Sequence, residues 1–98
     1  MKSIVVRKGK GYKVKQLVLG HRKELELHYH KFREEHLIIV HGLARIEMGG
    51  FSMIMGVGES LDVPVEVVHT IKNLRKENLV IIEVQHGKKL HEGDFVKL

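Results

Sequence analysis

The apolar residues of this chain fall in short runs of Val, Ile and Leu, glycine breaks the sequence about every ten residues, and no helical period is sustained anywhere. This pattern predicts an all-β protein. Strands are expected over residues 3–7, 12–19, 24–30, 36–42, 43–48, 51–55, 59–64, 68–74 and 79–87, with turns at the intervening glycines and at 75–78. Gly49-Gly50 has the form of a two-residue hairpin turn. So many short strands in 98 residues leave no room for covering helices, so the sheets must close on themselves as a sandwich, barrel or jelly roll. A chain of this length builds one core, and residues 1–98 are expected to form a single domain.

Composition then narrows the chemistry. With no cysteine, disulfides and thiolate metal sites are excluded, and any metal must be held by imidazole, carboxylate or main-chain oxygen. Eight histidines stand ready for that role. The net charge of +5 favours anionic partners, which charge alone leaves open between nucleic acid, acidic lipid headgroups and phosphorylated small molecules. Nucleic acid is not expected as a partner, because the lysines are scattered and no aromatic platform lies beside a basic stripe. There is no apolar run of membrane-spanning length and no secretory core near the start, so no membrane association and a cytoplasmic location are expected.

Within residues 24–30, strand alternation sets Leu25, Leu27 and Tyr29 on one face and Glu26, His28 and His30 on the other. Taken alone, this segment fits either of two arrangements. The leucines could form the core with the histidines in solvent, or the histidines could point into a barrel and expose an apolar stripe. In the second case the stripe would need a cover, and a twofold homodimer packed through that sheet is the expected one.

Longer spacings favour the second arrangement. His28-x-His30, then Glu35, then Gly42 resembles the first cupin motif; Gly58, Pro64, His69 and Asn73 follow in the order of the second. The first motif spans about 20–42 and the second about 58–73. The glycine usual two residues after the proline is replaced by Glu66, which weakens the expected tight turn. The resemblance implies a single-domain cupin, a double-stranded β-helix or jelly-roll barrel. It also implies that His28, His30, Glu35 and His69 hold one divalent metal ion, a donor set suited to Zn, Mn, Fe, Co or Ni.

From Tyr12 onward the chain is similar to the C-terminal cupin domain of type II mannose-6-phosphate isomerases, which is often fused to mannose-1-phosphate guanylyltransferase. The likeness rests on Arg33 to Leu37, Val40 to Ala44, Ile82 to Gly87 and the closing Leu90 to Val96. The family usually has Gln at the place of His28 and Trp at the place of Leu37. No nucleotidyltransferase segment is recognisable, so sugar-nucleotide synthesis is not expected on this chain. The resemblance implies aldose-ketose isomerisation of a sugar phosphate, in carbohydrate metabolism and polysaccharide biosynthesis. Two alternatives share the same ligand set: a metal-dependent sugar or small-molecule binding module without catalysis, and a metal-dependent dioxygenase.

A sugar phosphate calls for a cation at the barrel mouth. Arg33 is the first choice, with Lys15 and its neighbour Lys13 behind it. Gln85 either hydrogen-bonds a ligand or satisfies a strand end. Glu26, Glu83 and His36 are the candidates for a general base, and no single catalytic residue is singled out. Met53 and Met55 read as core fillers, and His21, His41, His86 and His91 as histidines either on the surface or supporting a metal ligand from behind.

Overall fold

The computed structural model describes residues 1–98 and contains ten strands and no helix, so no helix is long and apolar enough to cross a membrane. They are β1 (Lys2–Gly9), β2 (Tyr12–Leu19), β3 (His28–Tyr29), β4 (Glu34–His41), β5 (Ala44–Met48), β6 (Phe51–Met55), β7 (Ser60–Val63), β8 (His69–Asn73), β9 (Leu79–His86) and β10 (Val96–Lys97). Two five-stranded antiparallel sheets result, in the orders β1-β2-β9-β4-β7 and β10-β3-β8-β5-β6. Their interleaved order is a jelly roll, as expected. Gly49 and Gly50 both take positive φ, 55° and 87°, the twist that a two-residue turn between β5 and β6 requires.

Alternation along each strand sends one set of side chains inward, and the inward set changes character along the barrel axis. On β2 it runs Leu19, Leu17, then Lys15, Lys13; on β9 Leu79, Ile81, then Glu83, Gln85; on β4 Ile39, Leu37, then Glu35. On β8 it runs Asn73, Ile71, then His69. The ladders align these switches, so one end of the barrel is an apolar core, with Asn73 as its buried polar group, and the other a buried polar chamber. The apolar end holds Leu17, Leu19, Leu37, Ile39, Ala44, Ile46, Ile71, Leu79 and Ile81, each at most 4% exposed. Burial of that many aliphatic side chains supplies the main driving force for folding. Met55 joins this core and Met53 packs against it, as read from the sequence.

The core's far end is tied off by Asn73. Its amide donates to the carbonyls of Leu19, Gly20 and Glu77, while its side-chain oxygen accepts from the Arg75 amide. The motif asparagine is thus structural.

Three sequence expectations need correction. The strand foreseen over 24–30 is regular only at His28–Tyr29; upstream, a lone bridge joins Glu24 to Lys72 and the chain bends at Leu27. The bend resets the alternation, so Leu25 packs against the core instead of facing out, and Glu26 is exposed beside Lys97 at 3.3 Å. The continuous Leu25, Leu27, Tyr29 stripe therefore does not exist. The C-terminal strand β10, which pairs with β3, was not foreseen. The outer face of the first sheet is instead apolar across three strands, through half-buried Val14, Val18, Val80, Ile82, Val84 and Ile38.

Candidate metal centre

His28 and His69 meet as a register pair between β3 and β8, and His30 follows two residues after His28. Their ligand atoms lie within 4.8 Å of one another, and the three residues are 1–3% exposed. Local hydrogen bonds set the rings. The Nδ1 of His28 lies 2.6 Å from the Glu26 carbonyl and that of His69 lies 3.0 Å from the Val67 carbonyl. A carbonyl only accepts, so each Nδ1 carries the proton and each Nε2 presents a lone pair. His30 Nε2 is buried without any partner.

Two unprotonated nitrogens and the unpaired Nε2 of His30 converging in a buried space are costly unless something electron-poor sits among them, and a divalent cation answers that need. The residues present therefore fit the metal that the motif implies. Burial lowers the His28 pKa below its ordinary value, against the upward pull of the Glu26 hydrogen bond. His30 is lowered to about 4 by burial, which outweighs the Glu35 charge and is reinforced by the Arg33 charge. Both are neutral, as ligands must be.

Glu35 sits at the edge of this triad. Its Oε2 is 3.7 Å from His30 Nδ1 and its Oε1 is 3.7 Å from His69 Nε2, while Arg33 Nε donates to Oε2 at 2.9 Å. Burial works to raise the Glu35 carboxyl, yet its contacts with His69 and Glu83 and the Arg33 charge hold it down at about 2. Arg33, expected at the barrel mouth, is instead 6% exposed and committed to Glu35 through Nε, with Nη1 buried and unpaired. It orients the carboxylate and keeps one donor free toward the cavity.

The other candidates divide clearly. Glu83 and Gln85 point into the chamber, Gln85 Nε2 donating to Glu83 Oε1 at 2.5 Å. Burial first, and then the Glu35 charge and hydrogen bond, push the Glu83 carboxyl up to about 8. Gln85 is fully buried, so it serves the interior and not a strand end in solvent. Lys15 also lines the chamber, with Lys13 beside it. Glu26 and His36 leave the list of bases, Glu26 because of the bend and His36 because it lies on the outer face against Asp62. His21, His41, His86 and His91 are exposed.

Sequence reasoning assigned no role to three residues near the C terminus. Phe95 stacks on His28 with ring centroids 4.0 Å apart. Asp94 accepts from the amides of Lys31 and Phe32 at 2.7 and 2.9 Å, and Glu92 pairs with Lys13 and Lys15. The closing Leu90 to Val96 run was the signal that could have found them. Glu92 and Phe95 help close a cavity of about 170 Å³ over the triad.

A jelly-roll barrel with a histidine triad at one end of its interior is a cupin. The structure of the Schizosaccharomyces pombe Cnp3 cupin domain matches with a TM-score of 0.79 at 15% identity, over 88% of this chain and 62% of that one. The chain belongs to the mannose-6-phosphate isomerase C-terminal family, whose model matches residues 2–98. A putative mannose-1-phosphate guanylyltransferase of Vibrio cholerae is 36% identical over 98 residues, 98% of this chain and 21% of that protein. The mannose-1-phosphate guanylyltransferase ManC of Salmonella typhimurium is 34% identical over 89 residues, 91% of this chain and 18% of that protein. This chain thus spans about a fifth of the length of these relatives.

Proposed function

We propose that the polar chamber is a metal-dependent site at which a sugar phosphate is isomerised between aldose and ketose forms, mannose 6-phosphate being the first substrate to test. The observation that carries this reading is the placement of the triad, the buried carboxyl of Glu83 and the Lys15 ammonium around one cavity. His28, His30 and His69, with Glu35 at their edge, would hold a single divalent ion. Such an ion supplies Lewis-acid polarisation of sugar oxygens.

The chain's own groups account for the rest. Isomerisation moves a proton between adjacent carbons, and Glu83, once its carboxyl has given up its own proton, is the buried carboxylate that can take one from the first carbon and return it to the next. Gln85 holds Glu83 in place, Arg33 holds Glu35, and Phe95 against His28 keeps bulk water from the triad. Lys15 offers a charge for the phosphate.

The test is a coupled assay for interconversion of mannose 6-phosphate and fructose 6-phosphate by metal-reconstituted protein. Activity lost in His69→Ala supports the reading. Sugar-phosphate binding without turnover replaces it with a binding module, and oxygen consumption with iron replaces it with an oxygenase.

The reading includes a twofold homodimer. The outer face of an antiparallel sheet is ordinarily polar, yet here Val14, Val18, Ile38, Val80, Ile82 and Val84 make it apolar. The flanking β1 is exposed at every residue, with Ile4, Val5 and Val6 at 56%, 47% and 59%. A second copy related by a twofold axis sets this apolar face against itself and requires no further chemistry.

A further inference from the structure

Lys13 and Lys15 project from one face of β2 into the polar end of the barrel, their side chains only 4% and 9% exposed. Two ammonium groups held side by side out of water repel one another and need an anion between them. In this structure the anion is Glu92. Its Oε1 lies 3.1 Å from Lys13 Nζ and 3.3 Å from Lys15 Nζ, and its Oε2 lies 3.0 Å from Lys15 Nζ. Lys13 Nζ also donates to the Leu90 carbonyl at 3.3 Å.

The arrangement is lopsided in two ways. The lysines are built into the barrel wall, whereas Glu92 comes from the connection between β9 and β10 and its side chain is 63% exposed. A single carboxylate also leaves one of the two positive charges uncompensated, whereas a phosphate monoester dianion would match both and offers three acceptor oxygens.

The connection is fastened at its ends, and between them few polar contacts hold it to the barrel. Gly87 N donates to the Gly11 carbonyl at 3.2 Å at one end, and Asp94 takes the Lys31 and Phe32 amides at the other. Between these anchors, Glu92 and the Leu90 carbonyl make its polar contacts to β2. Glu92 and Phe95 both wall the cavity above the histidine triad. That cavity, about 170 Å³, falls short of the roughly 300 Å³ at the small end of ligand pockets. Moving Glu92 off the lysines opens it on the side where the charge lies.

We propose that Lys13 and Lys15 form the anion subsite of the barrel, that Glu92 fills it as an internal stand-in for a phosphate monoester, and that ligand binding displaces Glu92 and lifts residues 88–93. The assignment deepens the sugar-phosphate reading and rests on it for the identity of the ligand. Glu92 then acts as a built-in competitor: neutral sugars leave it in place, and a sugar carrying a phosphate releases it.

The experiment is a calorimetric titration of the full chain with inorganic phosphate and with mannose 6-phosphate, comparing wild type with Glu92→Gln and Lys15→Met. Removing the competing charge in Glu92→Gln is expected to tighten phosphate binding about fivefold or more, the size of one partly exposed ion pair. Lys15→Met is expected to abolish it, and Lys13→Met to do the same should the Lys15 variant not fold. Trypsin cleavage after Lys88 and Lys89 should quicken when phosphate is added to wild type, because the strap lifts. Unchanged or weaker phosphate binding by Glu92→Gln overturns the proposal, as does phosphate that slows the cleavage. The isomerase reading fails separately: phosphate binding governed by Glu92 without sugar turnover removes the catalysis and leaves the subsite standing.

Discussion

His28 and His69, forty-one positions apart in sequence, face each other directly across β3 and β8 with their rings 4.2 Å apart at the centroids. Each ring is already fixed by an Nδ1 hydrogen bond to the carbonyl two residues before it. Such preorientation means that removing either histidine deletes a ligand without freeing another to replace it. His69→Ala should lower the affinity for a divalent cation more than 100-fold, beyond the 10–100-fold typical of losing a mere supporting contact. Calorimetric titration with zinc and metal analysis of the purified protein would measure it; a variant that keeps one tightly held ion places the metal elsewhere.

Glu83 makes the metal-free protein sensitive to alkali. Unfolded, its carboxyl loses its proton near 4.5, whereas folded it keeps the proton up to about 8. Between those values the folded state binds more protons, so the stabilisation is full below 4.5 and is lost as pH rises through 8. Glu83→Gln cannot ionise. The melting temperature of wild type minus that of Glu83→Gln, with chelator present, should therefore fall steadily from about pH 5 to about pH 8.5. A constant difference would mean that Glu83 is ionised throughout this range and that burial does not hold its proton.

Glu66 occupies the turn where the second motif usually has glycine, and it keeps the turn by adopting φ of 64°. Its amide donates to the His30 carbonyl at 2.7 Å, so this turn steadies a member of the triad. A side chain in the left-handed region costs about 1 kcal/mol, part of which glycine returns through its freer unfolded chain. Glu66→Gly should raise the melting temperature by roughly 2–6 °C, given the usual sensitivity of a domain this small. A lowered melting temperature would mean that the Glu66 side chain itself holds the turn.

Light scattering at micromolar concentration should give twice the chain mass. Ile82→Glu, at the centre of the apolar outer face of the first sheet, should halve it, while Leu27→Glu should leave it unchanged. A dimer broken by Leu27→Glu and not by Ile82→Glu would move the interface to the second sheet, and a wild-type monomer would remove it.

How much of this was legible depends on the range of the signal. His28, His30 and His69 could be found because motif spacing and strand alternation are short-range rules, and β2, β8 and β9 obey them. The same alternation misplaced Leu25 and Glu26, since a bend at Leu27 breaks the pleat and no glycine or proline marks it. Arg33 was read as a mouth cation because nothing local announces that its partner is Glu35, two residues on along the same chain face. Glu92 and Phe95 escaped assignment for another reason. Their partners lie 77 and 67 positions away for Lys15 and His28, in a segment with no periodicity to say which way a side chain turns.

The axial switch from aliphatic to polar inward positions gives this barrel a division of labour within single strands. Leu79 and Ile81 on β9 secure the fold, while Glu83 and Gln85 on the same strand serve the chamber. Substitutions can therefore accumulate at one end under selection for a new ligand while the other end preserves the architecture. A scaffold so partitioned can exchange one chemistry for another by point mutation alone, with no element added and no register changed.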